Sequence, residues 1–80
     1  MIGDNTQREV RDVLQTLLGR TIHPQEDVRR ANEPTWDSLR HVEILLAIEG
    51  TCGIRFDEQE MGELDSLDKL TRSVESHRAQ

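Results

Sequence analysis

The sequence predicts an all-α fold: a small four-helix bundle with three main helices, one short third helix and a long loop between the first and second helices. Three segments space their apolar residues three and four apart, as amphipathic helices do. A residue type that favours the N-cap position stands near the start of each predicted helix. The chain has 80 residues, enough for one small domain, residues 1–80, with a modest core.

The first helix is predicted from about residue 5 to residue 18. Its apolar stripe follows the i, i+3, i+4, i+7, i+8 spacing and consists of Val10, Val13, Leu14, Leu17 and Leu18. Thr6 followed by Glu9 fits a capping box, in which each side chain bonds a free backbone N–H at the helix start. Gly19 is the predicted stop, because glycine accepts the left-handed conformation found after many helices.

A long connection follows over residues 20–36, interrupted by Pro24 and Pro34 and without a sustained period. Its scattered apolar residues are Ile22, Val28 and Ala31. Because these side chains favour burial, we expect the loop to pack over the bundle.

The second helix is predicted from about Ser38 to Gly50, with Asp37 as its N-cap. Its apolar residues form two sets, which is too many for one stripe. The set expected in the core is Ile44, Leu45, Ile48 and Cys52, with Cys52 acting as a small apolar group. The second set, turned around the helix, is Leu39, Val42 and Leu46. An 80-residue domain is too small to bury both sets, so the second is a candidate contact surface.

The last part of the chain begins with a short extended stretch at residues 54–56. Asp57 is predicted to cap a brief third helix, with Glu60 three residues further on. The fourth helix is predicted to begin at Asp65 or Ser66. The apolar residues expected to face inward are Met61, Leu64, Leu67, Leu70 and Val74.

The net charge is -6, from 16 acidic and 10 basic residues, and the acidity is concentrated after residue 36. Residues 37–80 contain 10 acidic and 5 basic side chains, which form either a solvated surface or a docking face for basic partners. Negative charge opposes binding to nucleic acid or to an anionic membrane. Only Trp36 and Phe56 are aromatic, so stacking on single-stranded nucleic acid is not expected either.

Cellular location is predicted from three features of the chain. Residues 1–10 include charged side chains and lack the apolar segment of a signal peptide. The longest apolar run, Ile44–Ile48, is far too short to span a membrane. Cys52 is the one cysteine, so no internal disulfide can form. We therefore expect a cytoplasmic protein.

The residues that often perform catalysis do not form a complete active site in this sequence. The three histidines and Cys52 lack the close paired spacing of a zinc site. Asp37, Ser38 and His41 are the residue types of a hydrolytic triad, but their order and spacing do not favour one, and no nucleophile elbow surrounds the serine. We expect no catalytic residues and no metal, and therefore no enzyme.

Ser38 belongs to the tripeptide Asp-Ser-Leu, which recurs at residues 65–67. Context separates the two copies. Residues 36–49 read WDSLRHVEILLAIE, and CGIRF follows at residues 52–56. This sequence resembles the acyl carrier protein family, including its peptidyl and aminoacyl carriers. The resemblance extends over nearly the whole chain and is sharpest over residues 36–56, whereas Ser66 stands where the family begins its last helix and is expected to be only a cap.

The resemblance implies that Ser38, flanked by Asp37 and Leu39, carries 4′-phosphopantetheine that a phosphopantetheinyl transferase takes from coenzyme A. Cargo would then be held as a thioester on the arm. Further implied partners are an acyl- or aminoacyl-loading ligase or transferase and downstream biosynthetic enzymes, with the carrier itself a monomer. The positions that match the partner-binding surface of the family are Leu39, Arg40, Val42, Glu43, Leu46 and Glu49.

Some residues depart from the family pattern. Arg40 replaces an acidic residue common in fatty-acid carriers, and Trp36 stands where small residues are usual. These departures favour a specialised pathway, such as one for a polyketide, a modified lipid or an activated amino acid, over primary fatty-acid synthesis. The alternative hypothesis is an unmodified helical module with the same fold that acts through protein–protein contacts.

Overall fold

The computed structural model describes residues 2–79, with side chains from residue 5 onward. The α-helices are α1 (Ile2–Leu18), α2 (Ser38–Cys52), α3 (Glu58–Met61) and α4 (Leu67–Arg78). A 3-10 helix, Arg30–Asn32, lies in the long loop between α1 and α2. Over the described residues there are no strands, so the predicted bundle of three main helices and one short third helix is confirmed. None of these helices has both the length and the apolarity needed to cross a membrane.

The core lies where α1 packs against α2 and α4. Each long helix turns its predicted inner stripe toward this contact, and each large apolar side chain buried there contributes about 1.5–3 kcal/mol. The most deeply buried large side chains are Val10, Leu14, Ile22, Val28, Ile44, Ile48, Leu70 and Val74. Cys52 is buried as predicted, and burial raises the pKa of its thiol.

The start of α1 differs from the prediction. The helix begins by Ile2, so Thr6 lies within it and cannot form the predicted capping box with Glu9. Instead Thr6 is buried and its hydroxyl accepts a hydrogen bond from Nη1 of Arg78, 3.3 Å away. The same Arg78 nitrogen lies 2.7 Å from a carboxylate oxygen of Glu9. Thr6 and Glu9, which the sequence predicted as a capping box, therefore connect α1 to the end of α4 through Arg78.

The end of α2 also lies beyond its predicted position. Gly50 is an exposed residue inside the helix, and Gly53 provides the left-handed turn, with φ of 68°. Its backbone N–H donates to the carbonyl of Glu49 at 3.0 Å. The earlier stop was predicted correctly: Gly19 follows α1 with φ of 71°.

The long loop packs on the bundle as predicted, although Ala31 is exposed rather than buried. Ile22, Val28 and Trp36 are the loop side chains that enter the core. Arg20 closes the loop on itself through ion pairs with carboxylates at Glu26 and Glu33. The hydrogen bonds that Arg20 donates to these carboxylates, the one to Glu33 first, hold the pKa of Arg20 above its usual value.

Candidate functional site

The candidate site is the first turn of α2. Asp37 has extended backbone angles, and its Oδ1 accepts a hydrogen bond from the backbone N–H of Arg40 at 2.8 Å, so it is the predicted N-cap. Because the aspartate provides the cap, Ser38 becomes the first residue of the helix and its hydroxyl is not needed for capping. Ser38 is exposed to solvent.

The second Asp-Ser-Leu copy has a different arrangement. Ser66 is the N-cap of α4, and its Oγ accepts a hydrogen bond from the backbone N–H of Lys69 at 3.1 Å. Its exposed fraction is only 7%. The expectation that Ser66 acts as a cap is confirmed, and its hydroxyl is not presented to solvent as that of Ser38 is.

Arg30, from the loop, is the side chain that contacts the Ser38 hydroxyl. Its Nη2 donates to Ser38 Oγ at 3.3 Å, and its Nε donates to the carbonyl of Trp36, also at 3.3 Å. Sequence reasoning missed this residue, because it lies eight positions before the serine in a segment without periodicity. No local pattern signals that contact, which exists only once the loop has packed.

Trp36 and His41 lie beneath this turn, both buried. Indole Nε1 donates to Nδ1 of His41 at 3.0 Å, and the rings stack with centroids 6.0 Å apart. Since an indole N–H can only donate, Nδ1 is the acceptor, and Nε2 of the imidazole donates to the carbonyl of Met61 at 2.8 Å. Both ring nitrogens are thus committed to joining the loop, α2 and α3. His41 is therefore not placed to act as a base for Ser38.

An apolar face of α2 extends from the site into solvent. Leu39, Val42 and Leu46 are 72%, 53% and 61% exposed, which confirms their separation from the core set. Arg40 and Glu43 border this face and pair with each other at 3.0 Å. We refer to these five residues as the α2 face. The Arg40–Glu43 pair offsets part of the negative charge expected there.

Glu49, the sixth predicted partner-binding residue, is engaged within the fold. Its Oε2 accepts a hydrogen bond from the backbone N–H of Phe56 at 2.8 Å, and its side chain is half-buried. The contact fastens residues 54–56 to the end of α2 and helps to seat Phe56 in the core. Glu49 therefore has a structural role that the sequence did not indicate.

A polar cluster joins α3 to α4, where Asp57, Glu60 and His77 bring possible ligand atoms within 4.8 Å of one another. The carboxylate of Glu60 accepts from Ser73 Oγ at 2.6 Å, from His77 Nε2 at 2.7 Å and from the Asp57 backbone at 2.8 Å. Burial alone would raise the pKa of Glu60, but these hydrogen bonds outweigh it and hold the pKa below its usual value. The hydrogen bonds that Glu60 accepts give this cluster a structural role, because they hold α3 against α4.

No protein-family model, curated protein or solved structure matches this chain. The function is therefore inferred from the site itself. The site combines an exposed hydroxyl beside a guanidinium with a nearby imidazole whose two ring nitrogens both have hydrogen-bond partners within the fold.

Proposed function

We propose that the protein is a non-catalytic carrier that holds acyl or aminoacyl intermediates as thioesters on a 4′-phosphopantetheine arm attached to Ser38. It presents them to enzymes of a fatty-acid, polyketide or other specialised biosynthetic pathway. The observation that carries this proposal is the first turn of α2. Asp37 caps the helix and leaves the Ser38 hydroxyl exposed, whereas in the second copy Ser66 is itself the N-cap of α4.

The residues around Ser38 fit such an arm. Attachment forms the bond from Oγ to phosphorus and breaks the pyrophosphate bond of coenzyme A. The nucleotide half leaves, and the transferase removes the hydroxyl proton. The resulting phosphodiester is an anion beside the positive end of α2 and the Arg30 guanidinium. When attached, the arm supplies a flexible thiol; the protein supplies the anchor and the surface that partners recognise.

The α2 face is the proposed docking surface for a phosphopantetheinyl transferase, a loading ligase or transferase, and downstream enzymes. It begins one residue after Ser38, so a partner bound to it has immediate access to the attached group. Its exposed side chains Leu39, Val42 and Leu46 offer apolar contact, and Arg40 and Glu43 offer charges at the edge. We place the protein in the cytoplasm as a monomer.

The alternative is an unmodified helical module that binds partners through the same α2 face. The exposure of Leu39, Val42 and Leu46 favours protein contacts whether or not Ser38 is modified. The two hypotheses differ in one observable property, covalent modification of the serine.

Intact-mass spectrometry after incubation with coenzyme A, Mg²⁺ and a broad-specificity phosphopantetheinyl transferase separates them. The expected result is a gain of one phosphopantetheine in the wild type and in Ser66→Ala, and no gain in Ser38→Ala. Circular dichroism of each variant confirms that it is folded. An unmodified wild type would refute the carrier proposal, and modification that survives in Ser38→Ala would refute the assignment of the site.

A further inference from the structure

The guanidinium of Arg30 combines two features at the candidate site. It is held by hydrogen bonds to Ser38 Oγ and to the Trp36 carbonyl, both neutral acceptors at 3.3 Å. Among the side chains described, residues 5–79, no carboxylate forms an ion pair with it. A positive charge therefore stands beside the hydroxyl without a compensating negative charge in direct contact.

The backbone around Arg30 fixes this position. Its N–H donates to the carbonyl of Asp65 at 2.8 Å, within an antiparallel bridge between Arg29 and Ser66. Arg29 has extended backbone angles and precedes the 3-10 helix that Arg30 begins. The Arg29 guanidinium pairs with Asp27 at 2.8 Å, while the Arg30 side chain reaches Ser38. Two adjacent arginines thus have different environments.

We propose that Arg30 binds the phosphate of the group attached to Ser38 and so positions the base of the arm on the protein; this rests on the proposed function. Nη2 already contacts the oxygen that becomes the phosphate ester, so the non-bridging phosphate oxygens fall within its reach. A planar guanidinium matches two such oxygens, and its bonds to them would join opposite charges, whereas its present acceptor at Ser38 is a neutral hydroxyl.

Two measurable consequences follow. Phosphate held by Arg30 beside the positive end of α2 makes the modified protein more stable than the unmodified one, with an increase in Tm of about 2–6 °C, at least half of it from Arg30. It also displaces the ³¹P chemical shift of the folded, modified protein from that of the same protein in denaturant. Neither readout depends on the activity of a pathway enzyme.

The experiment compares the wild type with Arg30→Gln, Arg30→Lys and Arg29→Gln, each modified to completion as judged by intact mass. The difference in Tm between the modified and unmodified forms is measured for each, which removes the effect of the substitution on the unmodified fold. We expect the wild type and Arg29→Gln to show the same increase. Arg30→Gln should lose at least half of it and shift its ³¹P resonance toward the unfolded position. Arg30→Lys should fall between them, because it keeps the charge and loses the planar fork.

The outcomes distinguish a failure of the role of Arg30 from a failure of the proposal that Ser38 carries a phosphopantetheine arm. A wild type that gains no mass overturns both. Complete modification of every variant, with an equal Tm increase and an equal ³¹P shift in Arg30→Gln, overturns the role of Arg30 alone. If Arg30→Gln does not fold or is not modified, Arg30→Lys decides the matter: a Tm increase and a ³¹P shift equal to those of the wild type would refute the fork contact.

Discussion

The two Asp-Ser-Leu copies begin helices in different registers. In the first, Asp37 is the N-cap and Ser38 is the first helical residue. In the second, Ser66 is the N-cap and Leu67 is the first helical residue, while Asp65 lies outside the helix. Relative to the N-cap, the same three residue types are therefore shifted by one position between the two copies. Each side chain has a different structural role in the two helices.

The shift of one residue turns each side chain by about 100° around the helix axis. It leaves Ser38 exposed and buries Ser66, whose hydroxyl bonds the backbone of Lys69. It also leaves Leu39 72% exposed, while Leu67 is only 3% exposed and belongs to the core. The serine and leucine of the first copy are thus exposed to solvent, whereas those of the second copy are buried.

Packing of the flanking chain sets the two registers. At the start of α4, Leu67 donates its N–H to the Val28 carbonyl at 2.9 Å, and the Asp65 carbonyl accepts from the backbone N–H of Arg30. These bonds hold residues 65–67 against the long loop, with the leucine directed inward. Before α2 the buried residue is instead Trp36, one position ahead of the tripeptide. Exposure of the serine is thus decided by its neighbours, not by the tripeptide.

The largest difference between the copies should come from their leucines. Leu67→Ala removes a core side chain and leaves a cavity, so we expect the free energy of unfolding to fall by about 2–4 kcal/mol. Leu39→Ala, on the α2 face, should change it by less than about 0.5 kcal/mol. Urea denaturation of both variants measures the comparison. Similar losses in the two would mean that the leucines are not distinguished by burial.

A smaller difference is expected between the serines. Ser66→Ala removes the α4 cap and should lower the free energy of unfolding by about 1 kcal/mol, whereas Ser66→Asn retains an N-cap oxygen and should cost less. Ser38→Ala should have almost no effect, since Asp37 caps α2. Thermal unfolding of the three variants gives the order. A loss in Ser38→Ala as large as that in Ser66→Ala would contradict the assigned registers.

The features that the sequence predicted are those encoded locally. Helical periodicity separated the buried and exposed sets of α2, and short-range capping preferences located Asp37 and Ser66 at helix starts. The 3.6-residue period places Leu39 and Ile44 in different sets, and in the structure Leu39 is exposed and Ile44 is buried. The function of Ser38 remains a proposal that rests on these local features.

The features that the sequence did not predict depend on contacts between distant segments. Arg78 meets Thr6 across 72 positions, and this contact replaced a capping box that local rules favoured. Arg30 reaches Ser38 only because the loop pairs with the start of α4. Glu49 looked like a surface residue by periodicity, but its carboxylate is used by the chain that returns after Gly53. No pattern within one helix contains such information.

The smallest expected difference concerns the aspartates. Asp65 is not a cap and pairs with Lys69 at 3.1 Å, and this hydrogen bond, opposed by slight burial, lowers the pKa of the carboxyl. A folded-state pKa below the ordinary value of 3.8 stabilises the protein above that pH. The stabilisation is lost as the pH falls through the folded-state value. Because both side chains are about half exposed, solvent screens the pair, and it should contribute only about 0.3 kcal/mol.

A double-mutant cycle with Asp65→Asn, Lys69→Gln and the combined variant isolates this pair. At pH 7 and low salt the coupling should be about 0.3 kcal/mol. It should vanish in 1 M salt, and it should be lost as the pH falls through the folded-state pKa of Asp65, which lies below 3.8. Asp37→Ala should cost about 1 kcal/mol at pH 7, because it leaves the N–H of Arg40 without its acceptor. A cost for Asp65→Asn equal to that of Asp37→Ala would mean that the second aspartate also supports its helix start. The one-residue difference in register would then no longer explain why only the first serine is exposed.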